Sequence, residues 1–296
     1  MADLRGLEIL VPRDEGEFLY AALARHAPHG WEEEDREDGL LARVYAPSEN
    51  VARIVESGLL ASASKSWILR PFTAPERDWL SAWKEFFTPV RAGRRFLILP
   101  PWLAGRNSPV RAGRRSVIVI EPKTAFGTGH HASTVLCLRA ISDLADAGLI
   151  GPGRRFLDLG TGSGILGLGA ALLGMRGLGV DPDPAAVENA LENRHLNRVS
   201  GEDFQARLGS LEVVPEKDFG LILANILAEP LLEMAGEIAA RLRPEGFLVL
   251  SGLLRSQAGK VVLEYRSQGL RLLKRLGRGE WAALLFAGNG TGAGRA

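Results

Sequence analysis

The sequence predicts an α/β protein: a mostly parallel sheet covered by helices and closed by an antiparallel hairpin, with a small α+β domain ahead of it. Three observations lead to this prediction. From residue 155 onward, short apolar runs alternate with stretches of helical periodicity. Two apolar runs near the C-terminus are separated only by residues 277–280, as in a hairpin. The first 60 or so residues change period several times, which is typical of a smaller mixed unit.

Length and charge limit the function classes. A chain of 296 residues has room for one large and one smaller domain. Lys and Arg total 36 against 35 Asp and Glu, so the whole chain has no net attraction to nucleic acid or to an anionic membrane. Cys137 is the only cysteine, which excludes an intramolecular disulfide and a thiolate metal cluster.

The expected location is the cytoplasm. The first residues lack the basic and apolar regions of a secretory signal. The most apolar stretch, residues 164–174, falls well short of the ~18 residues that a membrane-spanning helix needs. We therefore expect no membrane association.

Four segments are predicted. Residues 1–70 form the α+β domain, with a βαββα pattern that includes strands at 7–11 and 40–45. Residues 71–101 form a linker whose helix carries Trp79 and Trp83. Residues 102–287 form the main domain, and residues 288–296 are a glycine-rich disordered tail.

A basic heptapeptide, PVRAGRR, occurs at residues 89–95 and again at 109–115. Two copies are too few for a solenoid. One interpretation is a pair of solvated turns that lead into strands at 96–99 and 117–120. The alternative is a basic patch that contacts RNA or the substrate.

The main domain alternates strands and helices. Asp183 and Pro184 open one helix with a capping residue and a first-turn proline. The predicted strands are residues 156–159, 178–181, 221–223, 247–250, 270–276 and 281–286, and the predicted helices are 165–173, one from 184 and one near 231–242.

A glycine turn follows the first strand of this series, with the sequence FLDLGTGSG at residues 156–164. Gly160 and Gly162 allow a ligand to approach the backbone. Asp181 ends the next strand about 20 residues on, where a carboxylate accepts the ribose hydroxyls of a bound nucleoside. The pattern predicts a nucleoside site. Because residues 162–167 also fit G-x-G-x-x-G, a nicotinamide-dependent dehydrogenase stays open as a rival.

Four further motifs favour one family: AFGTGHHAST at residues 125–134, NILA at 225–228, DWLSAWK at 78–84 and LSGLL at 250–254. Together they resemble the bacterial PrmA family, the methyltransferases of large-subunit ribosomal protein eleven. The resemblance covers residues 78–257 strongly and the first 60 only by pattern. The chain departs from the family at Ser133, where a threonine is usual, and at Thr161, where cysteine is frequent.

The resemblance implies a class I methyltransferase fold with a Rossmann-like sheet, and S-adenosylmethionine as cofactor. Carried over residue by residue, the family's cofactor contacts fall on Thr134, Gly160, Asp181 and Asn225. Phe126 and His131 fall beside the methionine and sulfonium part. The candidate catalytic residues are therefore Asn225, Phe126 and His131, with Phe126 also a cofactor contact.

The chemistry of these residues fits the assignment. A sulfonium cation can lie against the face of Phe126, although that ring is equally suited to the core. The Asn225 amide can orient an incoming amine, or else cap a helix. His130 and His131 are adjacent and lack further ligand residues, so no metal site is expected. No general base is identified.

The implied activity is protein N-methylation of lysine and/or N-terminal amines of ribosomal protein eleven. Adenine and glutamine methyltransferases of this fold usually carry Asn-Pro-Pro-Tyr where this chain has NILA, which favours an sp³ amine. Another protein or a small-molecule amine is the alternative substrate. The domain before residue 71 is expected to hold the substrate, the basic segments to contact ribosomal RNA locally, and the enzyme to be a monomer.

Overall fold

The computed structural model describes residues 4–27, 31–36, 38–46, 49–64, 66–74, 88–104, 113, 115–121 and 129–290. The chain divides into two compact units, residues 1–87 and 88–296. The predicted linker helix with Trp79 and Trp83 lies outside the described residues, as do residues 291–296 of the predicted tail.

The N-terminal unit is a four-stranded antiparallel sheet with two helices. Its strand order, β2-β3-β1-β4, and its βαββαβ sequence are those of ferredoxin-like domains. Leu7, Ile9 and Val11 alternate along β1 and pack against the helices through Leu19 and Leu59. The elements are β1 (Leu4–Val11), α1 (Gly16–His26), β2 (Glu32–Arg36), β3 (Gly39–Ala46), α2 (Glu49–Ser62) and β4 (Ile68–Ala74).

The fourth strand was not predicted. Pro71 interrupts its pattern, and a proline argues against a central strand because it cannot donate to the ladder. The strand tolerates Pro71 because β4 lies at the edge of the sheet and, among the described strands, pairs only with β1, where Pro71 stands opposite Leu7. The N-terminal domain therefore extends past the predicted boundary at residue 70.

The second unit begins with a three-stranded sheet of order β5-β6-β7. Its strands are β5 (Val90–Ala92), β6 (Phe96–Leu99) and β7 (Ser116–Val119). The strands predicted at 96–99 and 117–120 are present, the second displaced by one residue. Residues 90–99 belong to this sheet, so the predicted linker boundary at 101 lies too far along the chain.

The first basic heptapeptide contains β5 and the turn that joins β5 to β6. The amides of Arg94 and Arg95 donate to the Ser142 hydroxyl, at 3.0 and 3.3 Å. The Arg95 guanidinium also pairs with Asp146 at 2.7 Å. Arg95 is thus held against the protein. Most of the second copy lies outside the described residues.

The large sheet has seven strands in the order β10-β9-β8-β11-β12-β14-β13. All neighbours are parallel except those of β14, which runs antiparallel to β12 and β13. The strands are β8 (Arg155–Leu159), β9 (Arg176–Asp181), β10 (Phe204–Leu208), β11 (Phe219–Asn225), β12 (Leu242–Leu254), β13 (Arg271–Arg278) and β14 (Trp281–Ala287).

Helices cover both faces of this sheet. Side chains alternate along β8 and β11: Phe156 and Leu221 belong to one core cluster, Leu157 and Ile222 to the other. The predicted α/β fold, a mostly parallel sheet covered by helices and closed by an antiparallel hairpin, is confirmed. The helices are α3 (Ala132–Asp146), α4 (Ile165–Ala171), α5 (Pro184–Leu196), α6 (Ala228–Glu233), α7 (Ala235–Arg241) and α8 (Ala258–Ser267).

Two details differ from the prediction or refine it. The helix predicted near 231–242 is two short helices that meet at Met234, and β12 begins where the helix was expected to end. The terminal hairpin turns on Gly279 and Glu280 alone, with Gly279 at φ 58° as a two-residue turn requires. Among the described helices none is long and apolar enough to cross a membrane.

Candidate functional site

The site lies at the carboxyl ends of β8, β9 and β11. Chain order reverses at β8, since β9 lies on one side of it and β11 on the other. The helix that follows β8 packs on one face of the sheet and the helices that follow β11 pack on the other, so a crevice opens at this point of an α/β sheet. Residues that directly follow these strand ends are the ones that can touch a ligand there.

The glycine turn is tied to β9 by its backbone. The amides of Gly160 and Thr161 donate to the Val180 carbonyl, at 2.9 and 3.0 Å. Gly160 has φ 68°, a conformation that favours glycine. A Cβ on Gly160 would also collide with Cγ2 of Ile226. Glycine is therefore required at residue 160 for both conformation and space.

Asp181 holds the same turn from the end of β9. Its Oδ2 accepts from the Gly162 amide at 2.9 Å, and its Oδ1 accepts from the Asp183 amide at 3.0 Å. Each carboxylate oxygen has a further lone pair for a ligand hydroxyl. The predicted pair Gly162 and Asp181 is thus brought together by the fold.

Asp158 is a site residue that the sequence analysis did not select. Its Oδ2 accepts from the Thr161 hydroxyl at 2.7 Å and from the Gly167 amide at 2.9 Å. Its Oδ1 is buried and has no hydrogen-bond partner in the described part of the chain. Burial raises the pKa of Asp158 to about 7, aided by the charge of Asp181 and opposed by the two hydrogen bonds. The signal was available, since Asp158 is the one charged residue in the buried part of β8, residues 156–159.

Asn225 and Thr134 meet across the crevice. Asn225 is the last residue of β11, and its Nδ2 donates to the Thr134 hydroxyl at 3.3 Å. Thr134 is fully buried in the first turn of α3. Oδ1 of Asn225 is buried, and no described residue gives it a hydrogen bond. Two predicted site residues are therefore adjacent, with one acceptor left for a ligand.

His131 caps helix α3 and contacts Trp281 of the terminal hairpin. Its Nδ1 lies 2.7 Å from the Ser133 hydroxyl, and its ring packs edge-on against Trp281 at 4.5 Å between centroids. Burial lowers the pKa of His131, so the ring is mainly neutral at pH 7. The neighbouring His130 contacts the Thr88 carbonyl instead, at 3.0 Å. Trp281 lies far away in the sequence, and nothing in its local pattern indicated this contact.

Phe126, the remaining predicted site residue, lies outside the described residues. Of the others, the fold pairs Thr134 with Asn225 and Gly162 with Asp181. Gly160 joins the two pairs, because it packs beside Ile226, which follows Asn225 in the chain.

The donor and acceptor pattern of the site fits S-adenosylmethionine. Buried oxygens without a hydrogen-bond partner are rare in folded proteins, and among the described residues of this site Oδ1 of Asp158 is one. The cofactor carries the complementary donors, an ammonium group, two ribose hydroxyls and an adenine amino group. The Asp181 carboxylate suits a ligand that is rich in donors and carries a positive sulfonium.

The sheet order and this site define a class I methyltransferase. The usual dinucleotide-binding order is 3-2-1-4-5-6, all parallel. Here the antiparallel β14 is inserted between β12 and β13, which gives 3-2-1-4-5-7-6 when β8 to β14 are numbered from one.

Comparison with known proteins identifies the family. The family model described as "Ribosomal protein L11 methyltransferase (PrmA)" matches residues 36–288, and the chain belongs to this family. A ribosomal protein L11 methyltransferase from Heliobacterium modesticaldum is 37% identical over 241 residues, which are 80% of this chain and 73% of that protein. One from Geobacter metallireducens is 40% identical over 215 residues, or 72% and 67%.

A solved structure agrees. The crystal structure of ribosomal protein L11 methylase from Lactobacillus delbrueckii subsp. bulgaricus is 28% identical and superposes with a TM-score of 0.59. The match covers 68% of this chain and 98% of that one. This chain is an S-adenosylmethionine-dependent methyltransferase, and the dehydrogenase rival is excluded.

Proposed function

We propose that this methyltransferase transfers methyl groups to amines of large-subunit ribosomal protein L11, on lysine side chains, the N-terminal amine, or both. The substrate is the one named for its relatives, among them proteins 37% and 40% identical to it. The single observation in the structure that carries the proposal is the buried Oδ1 of Asn225 at the end of β11, which has no hydrogen-bond partner among the described residues.

Asn225 is proposed to orient the incoming amine. Its Nδ2 is engaged by Thr134, which fixes the amide plane and leaves Oδ1 as the free acceptor. An amine N–H can donate to this oxygen, which holds the nitrogen lone pair toward the methyl group. A carbonyl oxygen, from the backbone or a side chain, suits an sp³ amine because it accepts a hydrogen bond without requiring the donor group to be planar.

The cofactor contacts are proposed from the same arrangement. Asp181 accepts the ribose hydroxyls through the lone pairs that its backbone contacts leave open. Gly160 and Gly162 let the backbone approach the nucleoside. Thr134 and His131 line the methionine side, and Phe126 keeps its assignment beside the sulfonium from the family resemblance.

S-adenosylmethionine supplies an electrophilic methyl group on a positively charged sulfur. The chain's own contribution is to select the neutral form of the amine and to position it. A lysine amine has an ordinary pKa of about 10.4, so it must lose a proton before attack, and a partly desolvated site favours that loss. We assign catalysis to positioning and desolvation, and we name no side-chain base.

The N-terminal unit is proposed to hold the substrate protein. In the part that the structure describes, it has a ferredoxin-like sheet and a hydrophobic core, and it contains no glycine-rich nucleotide turn. Three expectations from the sequence remain predictions: that the enzyme is a monomer, that it is located in the cytoplasm, and that it contacts ribosomal RNA locally. The ion pair between Arg95 and Asp146 favours the solvated-turn interpretation of the first basic segment over the RNA interpretation.

The test is methyl transfer from labelled S-adenosylmethionine to ribosomal protein L11 purified from a strain that lacks its methyltransferase. We expect label on amines of that protein, mapped by mass spectrometry. An L11 preparation that takes up no label would remove L11 as the substrate while leaving the methyltransferase assignment intact.

A further inference from the structure

Helix α5 buries polar side chains where a core helix normally buries apolar ones. Its buried residues are two alanines and two asparagines, Asn189 and Asn193, and Asn197 follows at the C-cap. Asn193 is 0% exposed. Spacing of four places the three asparagines along one face of the helix. A fully buried amide is retained only where its hydrogen bonds are made.

Asn193 bonds to two separate parts of the second unit. Its Oδ1 accepts from the Glu121 amide at 2.9 Å, just beyond β7. Its Nδ2 donates to the Ser163 carbonyl at 2.9 Å and to Oδ1 of Asn189 at 2.7 Å. The Glu121 amide can only donate and the Ser163 carbonyl can only accept, so the orientation of the Asn193 amide is fixed by its partners.

Ser163 lies inside the glycine turn. It stands between Gly162, whose amide donates to Asp181, and Gly164, whose φ is 80°. Asp181 holds this turn from one side and Asn193 holds it from another. Since glycine residues have wide conformational freedom, a turn rich in them needs such external bonds to keep one conformation.

Asn197 provides a natural comparison. It bonds to the same strand region as Asn193, accepting from the Val119 amide at 2.8 Å and donating to the Val119 carbonyl at 2.6 Å. It also donates to the Asn193 carbonyl at 2.7 Å. None of these contacts reaches the glycine turn.

We propose that Asn193 is a positioning residue for the cofactor site, which holds the glycine turn in its binding conformation through the Ser163 carbonyl. Asn193 does not contact the substrate or the reacting atoms in this account. Its contribution is to reduce the conformational freedom that the turn would otherwise lose when the cofactor binds.

Aspartate substitutions separate the two asparagines. Asn193→Asp keeps an oxygen for the Glu121 amide and loses the donor to Ser163. Asn197→Asp keeps an oxygen for the Val119 amide and loses two donated bonds of its own. Each variant adds one carboxylate and removes two donated bonds. Only Asn193→Asp removes a bond to the glycine turn, and it also places its carboxylate at the more buried position, which the alanine variants below control for.

The experiment measures S-adenosylhomocysteine binding to the full chain by calorimetry, then KM for S-adenosylmethionine and kcat with saturating acceptor. We expect Asn193→Asp to weaken binding and raise KM about tenfold with kcat within about twofold, and Asn197→Asp to change either constant less than about twofold. Equal effects of the two variants, or a loss of kcat alone in Asn193→Asp, would overturn the proposal.

If the buried carboxylate prevents Asn193→Asp from folding, the alanine pair decides. Asn193→Ala and Asn197→Ala leave room for water and introduce no charge, so both are expected to fold. The same difference in cofactor affinity must appear between them at comparable Tm. The binding measurement needs no protein substrate, so its outcome does not depend on whether ribosomal protein L11 is the acceptor.

Discussion

Nδ2 of Asn225 donates to the Thr134 hydroxyl across 91 residues of sequence, and this bond leaves Oδ1 of Asn225 as a buried acceptor without a described partner. Replacing Asn225 with alanine removes that acceptor and leaves the glycine turn and Asp181 in place. We expect kcat to fall by about 100-fold or more, because alignment of the amine is lost, while the Kd of S-adenosylhomocysteine changes less than about threefold. Steady-state kinetics and calorimetry on the same preparation measure the two effects.

Thr134→Val tests the orientation of the Asn225 amide. Valine has the shape of threonine without the acceptor, so the Asn225 amide loses its anchor, and kcat should fall about tenfold. Thr134→Ser keeps the hydroxyl and serves as the control. Because Thr134 affects kcat by orienting Asn225, apart from its proposed contact with the cofactor, kcat of the double variant Asn225→Ala, Thr134→Val at saturating cofactor should be no lower than that of Asn225→Ala alone. Fully additive losses would show that Thr134 acts independently.

Asp181→Asn should weaken cofactor binding. An asparagine can offer its oxygen to only one of the two amides that Asp181 now accepts, those of Gly162 and Asp183. The other amide then faces an NH₂ group, and the ribose hydroxyls lose a charged acceptor. The expected loss is about 10- to 100-fold in S-adenosylhomocysteine affinity. Asp183→Asn changes charge equally, and asparagine caps a helix as well as aspartate, so its affinity should stay near that of the parent.

Asp158 gives the enzyme a pH-dependent stability. Its pKa is raised by burial from 3.8 to about 7, so between about pH 4 and pH 7 the folded state keeps a proton that the unfolded state releases. Raising the pH through this window therefore favours unfolding, by up to about 4 kcal/mol. Asp158→Asn resembles the protonated acid and cannot titrate. Denaturant unfolding without cofactor should show that the variant loses less stability than the parent between pH 4.5 and 7.5.

His131 acts in the opposite direction in part of the same window. Its pKa is lowered by burial, so the unfolded state binds a proton first as the pH falls below about 6.5, and acidification destabilises the fold. Comparing each variant with its own parent at every pH removes this contribution from the Asp158 experiment. A parent and an Asp158→Asn variant with the same pH dependence would contradict the assigned pKa.

Replacing Trp281 with leucine should expose the His131 ring to more water. The indole and imidazole rings pack edge-on at 4.5 Å, a contact of about 0.5–1.5 kcal/mol, and the tryptophan shields the histidine from water. Without it we expect the pKa of His131 to rise toward its ordinary value, and activity between pH 6 and 7 to fall relative to the parent. NMR titration of His131 and a pH–rate profile test this. Trp281→Phe keeps an aromatic ring and should preserve most of the parent profile.

Local signals made much of the fold predictable. The glycine turn, Asp181 and the capping pair Asp183 and Pro184 lie within one stretch of sequence, and the chemistry of each position dictates its conformation. Periodicity and turn residues predicted six of the seven strands of the large sheet and the helices α4 and α5, whereas β10, α3 and α8 were not predicted. The terminal hairpin was readable because two apolar runs flank a glycine-containing turn.

Contacts between distant segments were not readable. The ring contact between Trp281 and His131 and the hydrogen bond from Asn193 to Ser163 depend on how the sheet and helix α5 are placed. That placement cannot be predicted from the local pattern of a single sequence. The strand containing Pro71 was missed for a related reason, because edge position is decided by the whole sheet. Asp158 was passed over although its charge in an apolar strand was visible.

Removal of residues 1–87 should separate substrate recognition from cofactor binding. The boundary follows the division into compact units, whereas a cut at residue 70 would split the strand Ile68–Ala74, which pairs with β1 along its length. The glycine turn, Asp181, Thr134 and Asn225 all belong to the second unit, so S-adenosylhomocysteine should bind the truncated chain within about threefold of the full-length Kd.

Methylation of ribosomal protein L11 by the truncated chain should fall below detection, because the proposed recognition surface is gone. Adding residues 1–87 as a separate chain should not restore it, since recognition must be tethered to the site to raise the local concentration of the amine. Normal methylation by the truncated enzyme would instead place recognition on the second unit, where the basic segment around Arg94 becomes the next surface to substitute.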